Sequence, residues 1–114
     1  MSQNKDRILI TGATGFLGSW IISALVDQDA HVIATDVSLD HRRLETLRPD
    51  LPKDSIAFHI CDVTDAEALE ALIAKTQPTG IIHLAALQIP MCRVKPALGA
   101  MVNIVGHINV FEAA

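Results

Sequence analysis

Ile8-Leu9-Ile10-Thr11-Gly12-Ala13-Thr14-Gly15-Phe16-Leu17-Gly18 is the stretch on which the reading of this chain turns. An apolar run leads into a turn with three glycines, and the turn opens a segment with helical spacing. Glycines let a backbone bend sharply and lie close to a ligand. A helix start adds unpaired N–H groups and the positive end of its dipole, which together suit a phosphate. The glycine string alone is a common turn. It becomes a dinucleotide fingerprint only with a strand before it, a helix after it and an acidic residue about 20 positions on.

Working outward, Arg7–Thr11 reads as a buried strand. Gly15–Asp27 reads as a helix with Leu17, Trp20, Ile21, Ala24 and Leu25 on its apolar face. Ala30–Thr35 is a second strand, ending at Asp36, about the distance past the glycines that the fingerprint asks for. Ser38 is placed to cap a short helix through Leu47, and Pro49 and Pro52 stop it. A third strand, Ser55–Cys61, ends at Asp62. Thr64 and Glu67 then have the spacing of a capping box, opening a helix with Leu69, Leu72, Ile73 and Thr76 on one stripe. Pro78-Thr79-Gly80 ends that helix, Gly80–Ala86 is a fourth strand, and a loop with Pro90 follows. Pro96 suits the first turn of a final helix that runs to Ala114.

Strands and helices thus alternate four times. Near-continuous apolar strands point to a parallel sheet covered on both faces. Right-handed crossovers give the strand order 3-2-1-4, with a crevice between strands 1 and 4 at their carboxyl ends, where the glycine turn lies. The expected fold is α/β with three layers. Residues 1–6 are read as a flexible start and 7–114 as one domain.

Composition agrees with such a domain. The chain has 114 residues, 50% of them hydrophobic and 19% charged, which fits a packed core and not a disordered chain. A net charge of -4 gives no attraction for nucleic acid. Cys61 and Cys92 suggest neither a disulfide framework nor zinc, the five histidines are scattered without metal-ligand spacing, and a reducing, cytoplasmic setting is expected. The N-terminus does not read as a signal peptide, and no apolar run reaches the roughly 20 residues of a membrane span.

Several strand ends can carry chemistry. A carboxylate at Asp36 can accept hydrogen bonds from the ribose of an adenosine and would repel a 2′-phosphate, which favours NAD over NADP. Arg42 and Arg43 pull the other way if they reach the site; on a solvated helix face they do not. Asp62 can receive an adenine amino group beside Val63, or it can help Thr64 start the next helix. The small residues of Leu84-Ala85-Ala86 let a ribose and phosphate lie against the backbone. His83 reads as a packed, hydrogen-bonded residue rather than a base.

Together with Asn103-Ile104-Val105-Gly106 and Asn109-Val110-Phe111-Glu112-Ala113-Ala114, these motifs resemble the extended short-chain dehydrogenase/reductases. That group includes the NAD-dependent epimerase/dehydratase proteins acting on nucleotide sugars and related sugars. The resemblance implies a Rossmann-like αβα fold in which Gly12, Gly15 and Gly18, with the backbone of Phe16 and Leu17, cradle the pyrophosphate of NAD. It places Asp36 on the ribose, Asp62 and Val63 on the adenine, and Leu84, Ala85 and Ala86 against the middle of the dinucleotide. Asn103 matches an asparagine that helps organise the family's proton relay, while His107 stands where a small threonine is usual.

The same resemblance implies what is lacking. Family members use a tyrosine acid/base and a lysine from a Tyr-x-x-x-Lys motif, and this chain has no tyrosine. It ends inside the fourth helix, so the expectation is the NAD(P)-binding portion of a longer oxidoreductase, inactive alone. Two alternatives stand beside it: a non-catalytic dinucleotide-sensing module and an inert truncated product. Strand four is expected to be an exposed apolar edge. Leu98, Met101, Val102, Val105, Ile108 and Phe111 surround the last helix, which by resemblance could pair across a homodimer.

Overall fold

The structure, a computed structural model, describes residues 5–114, so most of the expected loose start lies outside the described residues. Four strands, β1 (Arg7–Thr11), β2 (His31–Asp36), β3 (Ile56–Ile60) and β4 (Gly80–His83), form one parallel sheet in the order β3-β2-β1-β4. Leu9 pairs with Ile33 on one side and Ile81 on the other; Ile10 pairs with Ala34 and Ile82. This is the expected Rossmann-like arrangement, with β1 inside and the glycine turn leaving its carboxyl end.

Side chains alternate across a strand, and here both parities are apolar. Leu9 and Ile33 face one way, packing with Cys61, Val63, Leu69, Leu72 and Val110. Ile10, Val32 and Ala34 face the other, packing with Ala13, Ile22 and Leu44. Helices α1 (Phe16–Asp27) and α2 (Arg42–Leu47) cover this second face. The first is covered by α3 (Ala66–Thr76) and by the C-terminal helical stretch.

Several local expectations need correction, the simplest being that β4 ends at His83 and not at Ala86. Helix α1 buries Gly18, Ser19, Ile22 and Ser23, whereas Leu17 and Trp20 are more than half exposed and Ala24 is exposed. The reason lies at Gly18, where a Cβ would stand 2.4 Å from the Ala13 carbonyl oxygen. Small residues let the helix approach the turn closely, and that approach sets which side faces the core. Helix α3 is capped by Asp65, whose carboxylate accepts from Ala68 N at 3.1 Å. Thr64, the expected cap, instead donates both its N–H and its hydroxyl to Asp62 Oδ1, at 2.9 and 2.8 Å. Helix α2 begins at Arg42, without a side-chain cap, and Ser38 accepts from Asp40 N in the preceding turn.

The Pro90 segment is a short helix, α4 (Ile89–Val94), with the proline in its first turn, where a missing N–H costs little. The final helix begins at Pro96 as expected but is not uniform. It runs as α5 (Pro96–Ala100), a π-helical turn over Met101–Gly106, and α6 (His107–Ala113). Its inward line is Gly99, Val102, Gly106 and Val110. At Gly106 a Cβ would meet Val63 Cγ2 at 2.6 Å, and Asn109 Nδ2 donates to the Val63 carbonyl at 2.9 Å. Ile104, Ile108 and Phe111 point outward. Among the described residues no helix is long and apolar enough to cross a membrane.

Candidate functional site

The carboxyl ends of the four strands open into one cleft of about 1490 Å³. Gly12, Gly15, Phe16, Leu17 and Gly18 line it from the turn and the start of α1, Asp36 from the end of β2, Asp62 and Val63 from beyond β3, and Leu84, Ala85 and Ala86 from beyond β4. The topology thus brings together every residue singled out for cofactor contact.

The three glycines of the turn differ in what requires them. Gly12 has a φ of +67°, and a Cβ there would lie 2.7 Å from Ala85 N and 2.8 Å from Leu84 C. It is needed for left-handed backbone and for direct packing on the segment after β4. Gly18 is needed for the approach of α1, as described above. Gly15 has a φ of -74° and a ψ of 177°, which any residue adopts, and its Cβ would meet only the Gly12 carbonyl oxygen, at 3.3 Å. At 15 the one protein atom that a Cβ would press on is this backbone oxygen, which would have to give by a few tenths of an ångström, and the residue lines the cleft.

Asp36 is engaged on the protein side. Its Oδ2 accepts from Thr14 N at 3.1 Å and from the Thr14 hydroxyl at 2.8 Å, and its Oδ1 accepts from Val37 N at 2.8 Å. A carboxylate offers about four acceptor sites, so some capacity is left for a ligand hydroxyl. The aspartate therefore ties the glycine turn to β2 in addition to facing the cleft. Thr14 is the residue that sequence reasoning missed, although it lies within the decisive stretch, between two of the glycines.

Asp62 holds Thr64 through the two bonds already given, so the local-turn role is realised while the residue still lines the cleft. Both arginines of α2 reach the rim. Arg42 is paired with Asp40, through Nε at 2.9 Å and a terminal nitrogen at 2.7 Å, and that contact holds the Asp40 carboxyl below its ordinary range. Burial pushes the Cys61 thiol up, and the Asp65 and Asp62 carboxylates add to the effect, so a thiolate is disfavoured there. Among the described residues no three metal-ligating side chains converge.

Asn103 is not part of the cleft lining. Its Oδ1 accepts from Leu87 N at 2.7 Å and its Nδ2 donates to Leu87 O at 3.0 Å, a two-point clasp on the backbone just past Ala86. The π-helical turn carries this side chain. The Cys92 thiol donates to the same carbonyl at 3.2 Å.

A model of the GDP-mannose 4,6 dehydratase family matches residues 9–114. The chain belongs to that family. Among its relatives, the UDP-glucose 4-epimerase of Mycolicibacterium smegmatis is 38% identical over 110 residues, a match covering 95% of this chain and 34% of the epimerase. The Bordetella bronchiseptica enzyme WbmG, solved in complex with NAD, superposes with a TM-score of 0.80 at 34% identity, covering 97% of this chain and 34% of that one. The L-threonine dehydrogenase of Clostridium difficile superposes with a TM-score of 0.79 at 31% identity, over 98% and 34% of the two chains. The chain spans about a third of the length of the curated relatives it matches. The matched stretch takes in the sheet, its glycine turn and the helices, and it is similar in proteins named for a sugar nucleotide and for an amino acid.

Proposed function

We propose that residues 7–114 form a dinucleotide-binding domain and that its cleft binds NAD. Gly12, Gly15 and Gly18, with the backbone N–H groups of Phe16 and Leu17, hold the pyrophosphate at the start of α1. Asp36 accepts from the adenosine ribose, Asp62 and Val63 border the adenine, and Leu84, Ala85 and Ala86 lie along the middle of the dinucleotide. The single observation that carries this reading is Gly15, a glycine with ordinary backbone angles that lines the cleft and whose Cβ would press on no protein atom but the Gly12 carbonyl oxygen.

Bound NAD supplies a hydride acceptor. Within a longer protein the activity is hydride transfer with a nucleotide sugar or a related substrate, as oxidation or as a step of epimerisation or dehydration. Asn103 is auxiliary to that activity and acts by holding Leu87 in place. The 114-residue chain has no tyrosine, so alone it binds the cofactor without turning over a substrate. A non-catalytic, NAD-sensing module is the second reading, and the same absence favours it. The exposed Ile104, Ile108 and Phe111 support pairing of two copies through the last helix, in a cytoplasmic protein.

Calorimetric titration of the purified chain with NAD and NADP tests the proposal. Saturable binding, tighter for NAD, is expected, with no NAD reduction when sugars are added. Absence of heat at millimolar NAD would remove the cofactor reading. Tighter NADP binding would transfer the specificity from Asp36 to the arginines of α2.

A further inference from the structure

One buried hydroxyl ties the end of β4 to β1. Thr11 is fully buried, and its Oγ1 lies 3.0 Å from Leu84 N, 3.1 Å from Ala85 N and 2.6 Å from His83 Nδ1. A backbone N–H can only donate, so the Ala85 amide takes one lone pair of the hydroxyl, and the Leu84 amide is divided between the other and the Thr11 carbonyl oxygen, 3.1 Å away. Its one proton then goes to His83 Nδ1. The ring must accept at Nδ1, which places its own proton on Nε2 in the neutral form. Protonating Nδ1 would aim a third donor at this oxygen, in competition with the amides; the Leu84 amide keeps the Thr11 carbonyl, whereas the Ala85 amide has no second partner among the described residues.

The Leu84–Ala85 peptide is also the surface on which the glycine turn rests. A Cβ at Gly12 would meet Ala85 N and Leu84 C, and Leu84 and Ala85 form one wall of the cleft. We propose that His83 is a positioning residue for this cleft: neutral, it orients the Thr11 hydroxyl that fixes Ala85 in the wall against Gly12; protonated, it competes with the Ala85 amide for that hydroxyl and loosens the wall there. The consequence for cofactor affinity rests on the cleft being the NAD site.

The surroundings act in the same direction. Thr11 faces His83 from β1. From α6, His107 meets it edge-to-face at 5.0 Å between ring centroids, and His107 itself stacks on Phe111 at 5.1 Å. The groove beside them has Ile73, Ile81 and Val110 in its lining, together with the uncharged hydroxyl residue Thr79 and Ala114. Burial first, and the His107 charge second, push the His83 pKa below its ordinary value. A group with a depressed folded-state pKa contributes stability above its unfolded pKa and loses it as pH falls through the folded one. The wall is therefore firm at neutral pH and loosens in acid.

The test uses the 15N-labelled chain without ligand and then with NAD. Imidazole spectra at about pH 7.5 are expected to show His83 neutral with its proton on Nε2, and amide protection at Ala85 is expected to fall as the pH is lowered until the same spectra show His83 protonated. A proton on Nδ1, or protection indifferent to His83 titration, overturns the proposal. NAD affinity is then followed through Trp20, which borders the cleft. His83→Asn places an oxygen where Nδ1 sits and cannot titrate. Wild type is expected to lose about tenfold more affinity between the two pH values than His83→Asn, one hydrogen bond's worth, and His83→Leu to bind weakly at both. Equal pH dependence in wild type and His83→Asn overturns the link. If His83→Leu does not fold, the asparagine variant and the spectra still decide. If wild type binds no NAD at either pH, the cofactor reading fails, while the ligand-free spectra and protection decide the role of His83 alone.

Discussion

Replacing Gly12 and Gly15 separately by alanine separates a glycine required by the fold from a glycine required by a ligand. At Gly12 an alanine must hold a φ of +67°, and its Cβ would lie 2.7 Å from the Ala85 backbone nitrogen, closer than real Cβ contacts come. Left-handed backbone costs an alanine about 1–2 kcal/mol, and forcing apart a packed contact costs about 1–3 kcal/mol. The stiffer unfolded chain returns about 0.4–1 kcal/mol. The net loss is therefore about 3 kcal/mol. With an unfolding entropy of about 2.1 cal/mol/K per residue, this lowers Tm by about 12 °C. Gly15 needs no unusual backbone, its nearest contact is 3.3 Å, and it occupies the N-cap of α1 without a side-chain bond. Alanine there loses about 0.5–1 kcal/mol as a poor cap and regains about as much from the unfolded chain, so Tm should move by no more than about 3 °C. Its effect falls on NAD, whose affinity should drop by about tenfold or more once a methyl group stands in the cleft. Thermal unfolding by circular dichroism and calorimetric NAD titration read the two effects separately. Equal loss of stability in both variants, or undiminished NAD binding by Gly15→Ala, would refute the division of roles.

Three further outcomes follow from named contacts. Asp36→Ala strips the acceptor from Thr14 and Val37, and should lower the unfolding free energy in urea by about 1–3 kcal/mol while narrowing the preference for NAD over NADP; an unchanged preference would place the specificity elsewhere. Asp65→Ala should cost about 1 kcal/mol through the α3 cap, whereas Glu67→Ala should cost almost nothing, and the reverse ranking would restore the capping box. Cys61 is buried and its thiol is held protonated, so iodoacetamide at mildly alkaline pH should spare it in the native chain and modify it in urea; rapid native labelling followed by mass spectrometry would contradict its placement.

The fold was legible because both parities of each strand are apolar and because a parallel sheet leaves few topologies. Leu9 and Ile10 each need a covered face, and that requirement fixes two helical layers. The cleft-lining residues were legible because they sit at strand ends, which a parallel sheet collects on one edge. Periodicity misplaced the buried side of α1 because the close approach at Gly18 overrides the apolar stripe. The α3 cap was displaced by one residue because Asp62 claims Thr64, and a competition between neighbouring polar side chains is not visible in spacing. The roles of Thr14 and Thr11 were hidden for a related reason: each hydroxyl joins segments far apart in sequence, Thr14 to Asp36 and Thr11 to His83. Asn103 was named by resemblance alone, and its grip on Leu87 depends on a π-helical turn that apolar periodicity does not reveal.

The central claim, that the strand-end cleft is an NAD site, is tested most directly by mapping the backbone amides of the 15N-labelled chain during an NAD titration. Shifts are predicted at Gly12, Gly15 through Gly18, Asp36, Val63 and Leu84 through Ala86, saturating together with one affinity. Shifts centred instead on Ile81, His107 and Phe111 in the groove beside β4, or no shifts at millimolar NAD, would contradict it.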